Sequence, residues 1–134
     1  MPSAGGRLQR CYRLRVQSAE SILDPATIVR LKAFAERVAR PGEELIARLI
    51  DIFVTDSGTR FIDCGTAWRA NDFSVAGRAA HTIKGSASNL GANHVVEAAR
   101  VIEEACEAGV AVDDGMLVAL RTALDEAHTA LRAL

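Results

Sequence analysis

From residue 24 onward, apolar side chains recur every three or four positions in successive runs, each closed by a short signal of Gly, Pro, Asn or Asp. That spacing matches the 3.6-residue turn of an α-helix rather than the alternation of a half-buried strand. Such a chain can bury its apolar atoms only by packing helix on helix. Asp24 before Pro25 opens the first run, an N-cap followed by proline where the helix does not need an amide, and Ile28, Leu31, Ala35 and Val38 carry it to about residue 39, before Pro41-Gly42. Leu45, Ile46, Leu49, Ile50, Ile52 and Phe53 form a broader set, wide enough for a helix buried between neighbours, that runs toward the breaker Asp56-Ser57-Gly58. Beyond it Phe61, Cys64 and Trp68 are again helical in spacing, and this piece either extends the helix through a kink or stands as a separate short one. Asn71 or Asp72 caps the next run, Phe73, Ala76, Ala80, Ile83, Ala87 and Leu90, which stops at Gly91 in the position that favours a left-handed residue. After a turn at Ala92-Asn93, Val95, Ala99, Ile102 and Cys106 make a further stripe closed by Gly109. Asp113-Asp114-Gly115 then leads into Leu117, Leu120, Leu124, Ala127, Leu131 and Leu134.

Four long helices with short connections pack most simply as an all-α, antiparallel up-down-up-down four-helix bundle, with the helix of residues 24–39 capping one end. A length of 134 residues, 49% apolar and only 4% aromatic, fits one such domain. Residues 1–22 hold Gly5, Gly6 and the scattered Arg7, Arg10, Arg13 and Arg15 without a sustained period, so they read as a flexible leader or vector-derived segment ahead of a domain at 23–134. They lack the apolar stretch of a secretory signal, and no run approaches the roughly 18 apolar residues that span a bilayer. A cytoplasmic location away from membranes is expected. Sixteen basic against seventeen acidic side chains argue against a nucleic-acid binder. Cys11, Cys64 and Cys106 are an odd number at spacings that fit neither a zinc motif nor a disulfide framework. Cys64 and Cys106 occupy apolar helical positions and read as buried thiols, while Cys11 is given no function.

The helix of residues 73–90 carries a second stripe, Gly77, His81, Lys84, Gly85 and Ser88, roughly 110° around from the apolar one. All of its members are small or polar. Each glycine inside a helix costs about 0.5–1 kcal/mol relative to alanine, and close approach by another molecule accounts for two of them flanking one histidine. A neutral imidazole keeps a lone pair on one ring nitrogen and is a competent nucleophile at cellular pH. No serine, aspartate or second histidine lies beside His81 in sequence to form a hydrolytic triad, and no GxxxxGK[ST] or kinase glycine loop is present for ATP. His94 and His128 have no metal-ligand spacing, so no metal or cofactor is expected in this chain, and His128 sits where a positive charge suits a helix C-terminus. Glu103, Glu104 and Glu107 beside Arg100 read as a solvated face of helix-spaced pairs.

The run His81-Thr82-Ile83-Lys84-Gly85-Ser86, followed by Asn89-Leu90-Gly91, closely resembles the signature of histidine-containing phosphotransfer (HPt) domains of bacterial two-component phosphorelays. The resemblance extends from about Leu23 to the C-terminus. It implies a helical bundle with the reactive histidine, His81, midway along one helix and facing out. It implies a phosphocarrier rather than an enzyme, relaying a phosphoryl group between the aspartates of receiver domains in response regulators or hybrid kinases, with Mg²⁺ on the receiver. Lys84 would lend electrostatic support, and Gly77, Gly85 and Ser88 would form the docking surface of a monomer. Glu103 aligns with a family position that often holds glutamine or glutamate near the histidine, where it would hydrogen-bond the imidazole. The family frequently has cysteine where Ala99 stands, a core position. Two alternatives share the fold: a docking module that binds receivers or sequesters another enzyme without being phosphorylated, and the phosphoacceptor domain of a chemotaxis-type kinase.

Overall fold

The computed structural model describes residues 21–38, 42–109 and 114–134, and among these it is all-helical. Five helices follow in order: α1 (Pro25–Val38), α2 (Gly42–Arg69), α3 (Phe73–Asn89), α4 (Asn93–Ala108) and α5 (Gly115–Arg132). Helix α2 packs on α3, α3 on α4, α4 on α5, and α5 closes back on α2, so the last four form the expected bundle. Helix α1 begins at the α3–α4 turn and leads to the start of α2, which places it across that end. Asp24 caps it, accepting from the Thr27 amide at 3.2 Å and the Thr27 hydroxyl at 2.5 Å. Ser21 and Ile22, assigned from sequence to the leader, are tied to the domain: their carbonyls accept from the Asn93 side chain and amide at 3.1 Å each. Cys11, Pro41 and Asp113 lie outside the described residues.

The turns explain the helix ends. Asn71 takes a left-handed φ of 57°, and Asp72 rather than Asn71 caps α3, accepting from the Val75 amide at 3.3 Å. Trp68 and Phe73 meet edge to face across this hairpin, ring centroids 5.5 Å apart. At the other end of α3, Gly91 has a φ of 69°, and a Cβ there would come within 2.9 Å of the Thr27 Cβ and 3.2 Å of the Asp24 Cβ. Its amide and carbonyl are both used, the carbonyl taking the Asp24 amide at 2.7 Å.

Four sequence expectations are corrected. Asp56-Ser57-Gly58 does not break α2, which runs unbroken for 28 residues. Ser57 is 1% exposed and its hydroxyl is satisfied inside the bundle, by the Val54 carbonyl at 3.4 Å and His128 Nε2 at 3.2 Å. His128 is accordingly half-buried against Ser57 and the edge of Phe53, and burial pushes its pKa down, so the ring favours its neutral form rather than a charge on the helix end. Cys64 is fully buried as expected, but Cys106 is only half-buried. Ile52, Val38 and Leu134 face solvent, the first on the outer side of α2 and the others at helix ends where no neighbour covers them.

The seam between α3 and α4 is built mainly from small residues. Ala76, Ala80 and Ala87 of α3 and Ala99 of α4 are fully buried, with Ala98 2% exposed, and Ile83, Val95 and Ile102 fill the centre. Alanine on both sides lets two helices approach toward the short end of the usual ~8–10 Å axis separation. That closeness sets what the polar rims of the two helices can reach.

Candidate functional site

Where α3 turns its polar edge toward α4, His81 and Glu103 meet. His81 stands on α3 with its side chain 68% exposed, and its Nδ1 lies 2.8 Å from Glu103 Oε1. The second carboxylate oxygen, Oε2, pairs with Lys84 Nζ at 2.7 Å. Burial pushes the Glu103 carboxyl up, and the hydrogen bonds and charges of Lys84 and His81 outweigh it, leaving the pKa below the ordinary carboxylate value. Glu103 is therefore an anion that can only accept. In the neutral ring the proton between them therefore belongs to His81 Nδ1, and Nε2, on the opposite side of the ring, keeps the lone pair.

Lys84, expected beside the transferring group, has its charge engaged by Glu103 instead. Gly85, one turn past His81, is exposed, and a Cβ placed on it would meet nothing within 4 Å. No contact among the described residues explains this glycine. Gly77 differs: a Cβ there would come within 3.2 Å of the Cys106 Cβ, so its glycine lets α4 approach α3. Ser88 is exposed one turn beyond Gly85. Thus His81, Lys84, Gly85 and Ser88 share one surface with Glu103, while Gly77 lies at its edge against α4. A shallow concavity runs from His81 toward the start of α3, lined among others by Phe73, Gly77, Arg78, Glu103, Cys106 and Glu107. The sequence reading passed over Arg78, although it stands three residues before His81 and hence on the same side of the helix.

The neighbouring carboxylates divide as two groups. Arg100 pairs with Glu97 and Glu104 along α4, the solvated face expected, whereas Glu103 turns away from it to the histidine. Among the described residues no three His, Cys, Asp or Glu side chains cluster as a metal site, and no helix is long and apolar enough to cross a membrane.

A family model described as the Hpt domain matches residues 48–133, a span that holds His81, Lys84, Gly85 and Glu103. The chain belongs to the Hpt family. It is thus a histidine phosphotransfer domain of the two-component type, a family of phosphocarriers rather than kinases. The fold agrees with that of a crystal structure, histidine-containing phosphotransfer protein B from Pseudomonas aeruginosa PAO1, at a TM-score of 0.73 and 22% identity over 85% of this chain and 94% of that one. No curated protein sequence matches the chain.

Proposed function

We propose that this Hpt domain is a relay carrier: His81 Nε2 accepts a phosphoryl group from the aspartyl phosphate of one receiver domain and yields it to the aspartate of another. The Nε2 lone pair forms the N–P bond as the P–O bond to the aspartate breaks, and the carboxylate leaves with that electron pair. The ring becomes a cation, and Glu103, already bonded to Nδ1–H, stabilises it without any proton having to move. In the reverse step the aspartate oxygen attacks phosphorus and the N–P electrons return to Nε2. The receiver supplies Mg²⁺ and most of the transition-state electrostatics, and this chain supplies the acceptor atom and the surface.

One observation carries the reading: Nδ1 is committed to Glu103, so the nitrogen left to react belongs to an exposed ring beside an unobstructed glycine. Gly85 and Ser88 form the landing ground, with Gly77 at its margin. Contact is small and transient, because a relay depends on turnover more than on tight binding. We assign the domain to the bacterial cytoplasm as a monomer.

Incubation with a phosphorylated receiver tests this. An acid-labile, alkali-stable label on the wild type that is lost in His81→Gln supports the carrier. Protein that binds receivers yet stays unlabelled supports the docking module in its place.

A further inference from the structure

The ion pairs around His81 leave one cation over. Lys84 gives its charge to Glu103 Oε2 at 2.7 Å, and Glu103 is also held by Nδ1, so this group is close to neutral as a unit. Arg78 is exposed, lines the same concavity as His81, and makes no ion pair among the described residues. Residues three apart on a helix are neighbours, with Cβ atoms about 5–6 Å apart, and an arginine stem is long enough to bring its guanidinium to the Nε2 side of the ring. Glu107 faces the concavity from α4, but a carboxylate has the wrong sign to hold a phosphate. Apart from the imidazole itself, Arg78 is the only cationic side chain among the described residues lining that concavity.

We propose that Arg78 is the anion-binding side chain of the site, its guanidinium taking the phosphoryl oxygens carried on His81 Nε2, a role from which Glu103 withholds Lys84. The inference rests on His81 being the acceptor. A planar fork of N–H donors matches two phosphoryl oxygens better than an ammonium can, and charge-assisted contacts of this kind are the stronger class of hydrogen bond. Because the site is open to water, the effect is moderate and sensitive to salt.

A partner-free donor tests it on the whole chain. With phosphoramidate, Nε2 forms the N–P bond as the donor's P–N bond breaks, and ammonia leaves after taking a proton from solvent. The wild type should label at His81, Arg78→Ala should label about three- to tenfold more slowly, and Arg78→Lys should fall between. Raising the salt from about 0.05 to 0.5 M should shrink the gap. The ³¹P signal of the phosphohistidine should titrate at a higher pH in Arg78→Ala, since a neighbouring cation favours the dianion. Equal rates and equal ³¹P titrations at low salt would overturn the assignment while leaving the carrier reading intact. Wild-type protein that takes no label at His81 would overturn both.

Discussion

Replacing Gly85 with alanine should make the free protein more stable and the relay slower. The residue lies inside α3 at an ordinary helical conformation, and an added Cβ meets no atom within 4 Å, so the substitution brings neither strain nor a clash. What remains is the gain in helix propensity, about 0.8–1 kcal/mol. For a domain of this size that is a rise in Tm of about 3–6 °C. The partner meets a different surface. On the docking surface proposed above, a methyl group at the notch, and far more a leucine, would stand where a receiver closes on the imidazole, and overfilling a fitted contact costs about 1–3 kcal/mol, or about 5- to 150-fold in transfer rate. Urea and thermal melts measure the first effect, and rapid-quench transfer from a phosphorylated receiver measures the second. Labelling by phosphoramidate, too small to use the docking surface, should stay near wild type in Gly85→Ala and separates lost docking from a damaged nucleophile. A less stable Gly85→Ala, or a Gly85→Leu that receives phosphoryl groups from receivers at the wild-type rate, would refute the reasoning.

Glu103→Gln keeps a neighbour for Nδ1 but removes the charge that balances the imidazolium and Lys84; transfer should slow about three- to tenfold with the fold intact, and ¹⁵N shifts of the ring should show a larger share of the Nε2–H tautomer. Gly91→Ala should destabilise by about 2 kcal/mol or more, read from urea melts, because it combines a φ of 69° with a Cβ 2.9 Å from Thr27 Cβ. Burial lowers the His128 pKa in the fold, with Asp125 opposing and Arg132 reinforcing the shift, so the unfolded chain binds that proton more readily. Its contribution is fully present above the ordinary value of 6.5 and is lost as pH falls below it; the urea midpoint should drop between pH 7.5 and 5.5 in the wild type and less in His128→Gln. Glu103 acts in a lower window, its contribution present above the ordinary value of 4.5 and lost in more acidic solution, which keeps the two effects apart.

Local patterns carried most of the fold. The helix of His81, its Asp72 cap region and the Gly91 stop could be read from spacing and turn chemistry alone, because each depends on residues within four positions. The misreadings share a cause in distant contacts. Ser57 looks like part of a breaker until His128, 71 residues away, meets its hydroxyl, and His128 looks like a charged helix end until Phe53 and Ser57 cover it. At the site, Gly77 and Gly85 sit on one stripe and read alike in sequence, yet one faces Cys106 and the other faces water. Glu103 lies 22 residues from His81 and was found only through a family likeness, since nothing local distinguishes it from Glu104. Arg78 was legible from its position three residues before His81.

Packing and chemistry meet in the alanine seam. If Ala76, Ala80 and Ala99 were larger, α3 and α4 would stand further apart, and a glutamate on α4 could not hold both Nδ1 of His81 at 2.8 Å and Lys84 at 2.7 Å. Holding both matters electrostatically. An unpaired Glu103 beside the ring would repel an incoming phosphoryl dianion, whereas one matched by Lys84 presents a nearly neutral base to the ring's proton and little field to the phosphate. On the proposed relay, the lysine one turn after the histidine would therefore act through the carboxylate, by making a strong hydrogen-bond acceptor tolerable next to an anion-receiving nitrogen. This arrangement holds one ring nitrogen against Glu103 and leaves the other exposed, as the proposed exchange with two receivers in turn requires.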